Sequence, residues 1–285
     1  MIIRNASAVG QFYPRSSGDI ESMLNKFMRR AEVKKKEVSG IVSPHAGYIY
    51  CGETQAHVYK SILQDNPTFV IVGPDHRKSG NDAIMTAGIW KTPLGNCRID
   101  SNLAESIFKN SNYLKDDYTA FSQEHSIEVQ LPWLQYKFNK VNIVPISISN
   151  QDLETSEDIG NAIKRAAVES DEQIIVIASS DFTHFGTSYG YKPVSGGVSR
   201  TLDFIQSIDK EAADNITKLR PEAFIDTVEK YDATICGIGA INTMLFSVME
   251  NAKKGELLHY STSYDVSNSL ESIVGYCGII IETGM

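Results

Sequence analysis

Val38-Ser39-Gly40-Ile41-Val42-Ser43 runs straight into Pro44-His45-Ala46-Gly47-Tyr48. A short apolar run that does not alternate with polar residues reads as a strand covered on both faces, and the Pro and Gly that follow end it in a turn. The same design recurs. Thr68–Gly73 leads into Pro74-Asp75-His76, Gln173–Ser180 leads into Asp181-Phe182-Thr183-His184, and Val141–Ile148 is a further apolar run. Between these runs the apolar spacing changes to that of helices: Cys51–Leu63, Ser101–Lys109, Ser126–Phe138, Asp152–Val168, Val198–Ser207, Pro221–Tyr231 and Ile238–Met249. Strands alternating with helices predict an α/β fold with parallel strands and crossover helices.

Working outward, Asp100 suits the cap of the helix at Ser101, and Pro221 suits a first helical turn, where its missing N–H costs nothing. Leu257–Tyr264 and Ser272–Glu282 have no helix between them and read as two final strands, antiparallel to each other. The expected architecture is therefore one domain over residues 1–285, a layered fold with a central mixed, mostly parallel sheet flanked by helices. No repeat, low-complexity tract or linker interrupts it. Phe185–Gly197, with four glycines and a proline, is expected to be a long loop covering a site.

Composition agrees with a globular chain: 42% hydrophobic and 22% charged residues over 285 positions. The net charge of −8 and the lack of basic runs beyond Arg29-Arg30 and Lys34-Lys35-Lys36 exclude a face that tracks phosphate backbones, so nucleic acid is not an expected partner. The amino terminus lacks the pattern of a secretory leader, and no apolar stretch approaches the roughly 18 residues that span a bilayer. The expected location is the cytoplasm. Four cysteines, Cys51, Cys97, Cys236 and Cys277, include no CxxC pair, which points away from a disulfide framework or a zinc ribbon.

In open α/β sheets ligands sit outside the carboxyl ends of the strands. His45, His76 and His184 all follow predicted strands, with Asp181 beside the last. One such histidine would ordinarily be a hydrogen-bonded boundary residue; three at equivalent ends suggest a transition-metal site, completed by an anionic side chain. Asp181 and Cys236 both qualify. Cys236-Gly237 precedes a helix whose dipole favours a thiolate, while the alternative reading makes Cys236 a small packing residue. Glu124-His125-Ser126-Ile127-Glu128 opens another helix, where His125 and Glu128 are spaced to touch; either His125 supports a substrate or the acids only favour the helix terminus. His57 and His259 read as structural.

Taken together, Pro44-His45-Ala46-Gly47-Tyr48, Gly73-Pro74-Asp75-His76, Glu124-His125-Ser126-Ile127-Glu128, Ser179-Ser180-Asp181-Phe182-Thr183-His184 and Thr234-Ile235-Cys236-Gly237 resemble, in order and spacing, the Memo family. The resemblance spans nearly the whole chain, from Gln11-Phe12-Tyr13-Pro14 to the final strands. It implies a LigB-like fold related to class III extradiol dioxygenases, with His45, His76 and Cys236 where Memo proteins bind a metal. In those dioxygenases two histidines and a glutamate hold Fe(II), and a further histidine is the acid/base. By that layout His184 would serve as acid/base, with Asp181 and His125 beside it.

Cys236 departs from the dioxygenase pattern, because a thiolate replaces the carboxylate. The resemblance accordingly implies Fe(II) first, with copper or zinc as alternatives, and a metal-dependent oxidoreductase of undetermined substrate. The other implied role is a non-catalytic module that binds a peptide or a small molecule in the strand-end pocket, as animal relatives act in signalling. Microbial members resemble a component of the AmmeMemoRadiSam group, which implies AMMECR-type and radical-SAM proteins as partners.

Overall fold

In the computed structural model, which describes residues 2–284, the apolar runs form the middle of a twelve-stranded sheet. Strand β1 (Ile3–Arg4) precedes helix α1 (Ser17–Arg30), β2 (Val38–Ser43), α2 (Tyr48–Ser61) and β3 (Thr68–Pro74). Then come β4 (Ala83–Ile84), β5 (Ile89–Thr92), β6 (Gly95–Ile99), α3 (Ser101–Asn110), β7 (Lys115–Asp116) and α4 (Leu131–Lys137). The second half holds β8 (Asn142–Ile148), α5 (Leu153–Glu169), β9 (Ile174–Ser179), β10 (His184–Gly186), α6 (Val198–Thr217) and α7 (Pro221–Tyr231). It ends with α8 (Ile238–Val248), β11 (Ala252–Thr262), α9 (Tyr264–Ser267) and β12 (Ser272–Thr283).

The strand order is β1-β5-β6-β8-β3-β9-β2-β12-β10, with β11 on the other side of β12. From β6 to β2 every pairing is parallel, whereas β12 runs antiparallel to β2, β10 and β11. The sheet is thus mixed and mostly parallel at its centre, and the last two long strands pair antiparallel as expected. Register sets the site. Ser43 pairs with Ser179 and Pro74 with Ile148, so neighbouring central strands finish level. The turns that follow them therefore leave the sheet at one edge.

Buried side chains explain why the centre reads so clearly. Phe69, Val70, Ile71 and Val72 of β3 are wholly enclosed, as are Ile175 and Ile177 of β9. Helix α8 is buried along nearly its full length, so it lies against the sheet as core. Asp100 caps α3 by accepting from the Leu103 amide, 3.0 Å, and Pro221 occupies the first turn of α7.

Several boundaries differ from expectation. Helix α1 is absent from the sequence reading although its signals are present: Ser16 caps it by accepting from the Asp19 amide, and Ile20, Met23, Leu24, Phe27 and Met28 recur at helical spacing and pack on the core. The β5–β6 hairpin turns through Pro93-Leu94 without an Asn-Gly type signal. Helix α6 continues to Thr217 instead of ending at Ser207, and Ser126–Phe138 divides into a 3-10 turn at Glu128–Gln130 and α4. The expected loop at Phe185–Gly197 is partly built, by the end of β10 and a 3-10 turn at Thr187–Tyr189. Among the described residues no helix is long and apolar enough to cross a membrane.

Candidate metal centre

The turns after β2, β3 and β9 bring His45, His76, Asp181 and His184 to one cavity, and the connection between α7 and α8 brings Cys236 beside them. One donor atom each from His45, His76 and Cys236 lies within 4.8 Å of the others, and the same holds for Asp181, His184 and Cys236. The closest approach is His45 Nε2 to Cys236 Sγ, 3.2 Å.

Each ring is aimed by what holds its other nitrogen. His76 Nδ1 lies 3.0 Å from Glu124 Oε1, a carboxylate that can only accept. His184 Nδ1 lies 2.8 Å from the Thr234 carbonyl, also an acceptor. Both Nδ1 atoms therefore carry the proton, and both Nε2 atoms present a lone pair. His45 Nδ1 is 3.0 Å from Ser179 Oγ. That hydroxyl donates to the buried Ser126 carbonyl at 2.7 Å and accepts from Gln130 Nε2 at 2.8 Å, so it accepts from His45 as well. Three imidazoles thus show Nε2 acceptors to the cavity.

Burial, and then the neighbouring His76, His125 and His184, hold the His45 pKa well below the usual imidazole range. It stays neutral, the form that binds a metal. Burial also pushes the Cys236 thiol well above its ordinary value, with Asp181 adding to the rise. This runs against the expectation that the helix dipole favours a thiolate: without a cation beside it, desolvation of the half-buried sulfur opposes ionisation. Only a cation at the sulfur would reverse that balance. The Asp181 amide already points at Sγ, 3.2 Å, and a Cβ on Gly237 would stand 2.8 Å from the Ser179 carbonyl, so glycine is what lets the cysteine turn reach the end of β9.

Asp181 and Cys236, read as rivals for one role, are both present with different work. Asp181 Oδ1 accepts from the His45 amide at 2.8 Å, and Ala46 N–H also bonds the carboxylate. It fixes the turn that carries His45. Burial raises its pKa, opposed by His184 and these amide bonds.

His125 joins the same cavity, 4.6 Å from the His76 ring and stacked on Phe12 at 4.3 Å. Burial lowers its pKa to about 4. Its expected contact with Glu128 does not form. Glu128 turns the other way and accepts from Arg4, the Ser7 and Ala8 amides at 2.8 and 2.9 Å, and Tyr13 Oη at 2.6 Å. That buried network ties the amino-terminal segment down and so delivers Phe12 to the site. Glu124, read only as a helix-end acid, is the residue that orients His76: it also accepts from the His76 amide, 2.8 Å. Burial pushes its pKa up, but the His76 hydrogen bond and charge win, leaving it at about 2. Ser179, Thr234 and Gln130 were likewise missed, since their roles depend on partners remote in sequence.

The donor set fits a transition-metal ion: neutral imidazoles with fixed Nε2 lone pairs, and a sulfur whose ionised form is stable only beside positive charge. His57 and His259 lie elsewhere, stacked on each other at 4.3 Å, and enter none of the groups that could hold a metal ion among the described residues. The cavity measures about 530 Å³, with Phe12, Tyr50, Tyr189 and Tyr276 on its walls.

Comparison with known proteins gives the family. A family model described as Memo-like protein matches residues 4–280. The chain is 39% identical to a MEMO1 family protein of Pyrococcus abyssi over 290 residues, covering 98% of this chain and 99% of the relative. It is 37% identical to one of Methanosarcina mazei over 284 residues, covering 99% and 100%, and 36% identical to one of Methanopyrus kandleri over 296 residues, covering 99% of each.

Proposed function

Because this chain belongs to the Memo-like family, we propose that it holds a redox-active transition metal through His45, His76 and Cys236 and acts as a metal-dependent oxidoreductase on a ligand in the adjoining cavity. The observation that carries this reading is the convergence of His45 Nε2 and Cys236 Sγ, 3.2 Å apart, with the Nδ1 of each histidine tied behind it. When bound, the metal would supply an electron-transfer centre with positions open to a small redox partner. Fe(II) is the first choice by resemblance to the two-histidine dioxygenase site; copper, and zinc as a non-redox alternative, follow because one thiolate beside two imidazoles is a softer set than a dioxygenase carboxylate provides.

The chain's own residues then divide the work. Glu124 and Ser179 orient the ligand rings. Asp181 fixes the His45 turn, and His184, with its Nδ1 proton on Thr234, offers Nε2 as a proton acceptor on the cavity wall. Phe12 and Tyr189 shield the rings from water.

Anaerobic metal titration by calorimetry with elemental analysis tests the reading. Near-stoichiometric Fe(II) or copper in the native protein, lost in His45→Ala, His76→Ala and Cys236→Ser, is the expected result. A native protein that takes up no transition metal under reducing conditions would overturn it. A second reading, a non-catalytic module recognising a peptide or small molecule, is favoured by the exposure of Tyr50 and Tyr189 at the cavity mouth, 37% and 41%. Metal uptake without oxygen consumption over a broad substrate screen would move the assignment there.

A further inference from the structure

Cys236-Gly237-Ile238-Gly239 enters α8 with both glycines pressed against the ends of neighbouring strands. A Cβ on Gly237 would stand 2.6 Å from Ser180 Cβ, just past β9, and one on Gly239 would stand 3.1 Å from Gln151 Cα, just past β8. Gln151 uses that closeness twice. Its Nε2 donates to the Cys236 carbonyl at 2.9 Å, and its Oε1 accepts from the Gly239 amide at 3.0 Å. On the other side Ser180 Oγ accepts from the Gly237 amide at 3.0 Å and donates to the Asp181 carbonyl at 2.8 Å. The Cys236 amide donates to that same carbonyl, 3.4 Å. The loop that carries Gln151 is itself held: Asp82 accepts from the Ser149 and Asn150 amides at 2.8 and 2.9 Å, and Asp152 caps α5 through the Thr155 amide at 2.7 Å.

Resting on the metal-holding reading above, we propose that Gln151 is the positioning residue for Cys236: by tying the cysteine carbonyl and the first turn of α8 to the end of β8, it aims Sγ at the point that His45 Nε2 also faces. With its amide held by Asp181 and its carbonyl by Gln151, Cys236 has both backbone groups anchored, so its Cα–Cβ bond has one direction. The two side chains also occupy the Gly237 and Gly239 amides, which at a helix start would otherwise be orphan donors free to turn toward an anion. The backbone donor that does reach Sγ is the Asp181 amide at 3.2 Å, with His45 Nε2 facing the sulfur at 3.2 Å. A plain helix cap would need only the Gln151 oxygen on Gly239. The Nε2 bond to the cysteine's own carbonyl is the part that sets the sulfur.

Anaerobic Co(II) loading reads the sulfur directly, through the thiolate-to-cobalt charge-transfer absorption, and Gln151→Ala beside Gln151→Glu separates the two bonds. Glutamate keeps an acceptor for the Gly239 amide and loses the donor to the Cys236 carbonyl. Both variants are expected to keep the native stoichiometry, to lose charge-transfer intensity and to bind Co(II) about tenfold more weakly. Only Gln151→Ala should also lose stability to urea in the metal-free state. A glutamate variant with native absorption and affinity would show that Gln151 is a helix cap alone and overturn the proposal. The metal-free protein gives a second readout. Cys51, Cys97 and Cys277 are buried and Cys236 is half-buried, so alkylation by iodoacetamide at one fixed pH, located by mass spectrometry, follows Cys236. Freeing its carbonyl should speed that alkylation by about two- to tenfold in both variants, the effect of one net hydrogen bond. An unchanged rate in both overturns the proposal. The two readings stay apart: a native protein that takes up no cobalt, with faster alkylation in the variants, sinks the metal reading and supports the positioning of Cys236. Cobalt uptake with native absorption and alkylation in the variants sinks the positioning alone.

Discussion

The six histidines form two groups that look alike by proximity and differ in direction. At the strand ends, the His45 and His76 rings are 5.1 Å apart and cross at 82°, and His45 and His125 are 5.4 Å apart at 86°. Between α2 and β11, His57 and His259 are closer, 4.3 Å, but lie within 20° of parallel. Lone pairs lie in the plane of an imidazole. Crossed rings can therefore aim Nε2 at a common point, whereas parallel stacked rings send their lone pairs side by side. The strand-end group also has Cys236 at the meeting point and an acceptor behind each liganding ring; the stacked pair has Thr54 Oγ1 at 2.8 Å from His259 Nδ1 and the Glu53 carbonyl at 2.8 Å from His57 Nδ1. What marks a metal-type site here is convergence enforced from behind, not a count of histidines.

The largest expected effect tests this contrast directly. Cys236→Ser and His45→Ala should abolish stoichiometric metal uptake, while His57→Ala and His259→Ala should leave it intact, as read by elemental analysis after anaerobic loading. Uptake that survives in the first pair and fails in the second would reverse the assignment. Next in size is the support behind His76. Glu124→Gln keeps the shape of the side chain but removes its charge, and should weaken metal binding by about 10- to 100-fold with the stoichiometry unchanged. Unaltered affinity would show that the carboxylate serves the fold alone.

Asp209 joins the two groups. From α6 it accepts from the Thr183 amide, next to His184, at 3.0 Å, and from Tyr260 Oη, next to His259, at 2.9 Å. Burial pushes its pKa up to about 6, against the pull of those hydrogen bonds. An unfolded chain releases that proton near pH 3.9, roughly. Between the two values the native state holds more protons than the unfolded state, so stability falls as pH rises from about 4 to about 6, by about 3 kcal/mol, and stays lower above that. Asp209→Asn should flatten this fall, measured by urea denaturation at a series of pH values. A wild-type profile already flat across the interval would remove Asp209 from the account.

Much of this arrangement was legible before any coordinates. The central strands are enclosed on both faces, so β2, β3, β8 and β9 appear as unbroken apolar runs, and the parallel topology then obliges His45, His76 and Asp181 to emerge at one edge. Its place before a helix left Cys236 open between a ligand and a packing residue, with Asp181 as rival, and only the resemblance to the Memo family assigned it to the metal. The supporting residues were not legible. Glu124 is adjacent to His125 yet acts on His76, 48 residues away, and Ser179 sits inside an apolar strand where its hydroxyl gives no signal until the His45 turn folds against it. Glu128 was assigned to a neighbour on its own helix, but the buried Arg4 offered a stronger partner. Local spacing governs elements; long-range acceptors and donors govern rings.

The smallest expected effect lies in the stacked pair. Burial lowers the His259 pKa, and the His57 imidazole lowers it further, against the opposing charges of Glu53 and Asp265. A histidine held below its ordinary value favours the native state only while neutral. Its contribution is therefore present at neutral pH and lost as pH falls below the usual imidazole range, when the unfolded chain takes up a proton that the folded chain resists. His57→Asn removes the imidazole neighbour but leaves the burial, so only part of the acid loss should disappear. In a chain of this size the difference in Tm between pH 8 and pH 5 should shrink by about 2 °C. His259→Asn should remove the whole of this contribution and shrink the difference further. Equal acid sensitivity in both variants and the native protein would mean that the stacked rings do not sense each other, and that their closeness is a packing outcome with no electrostatic coupling.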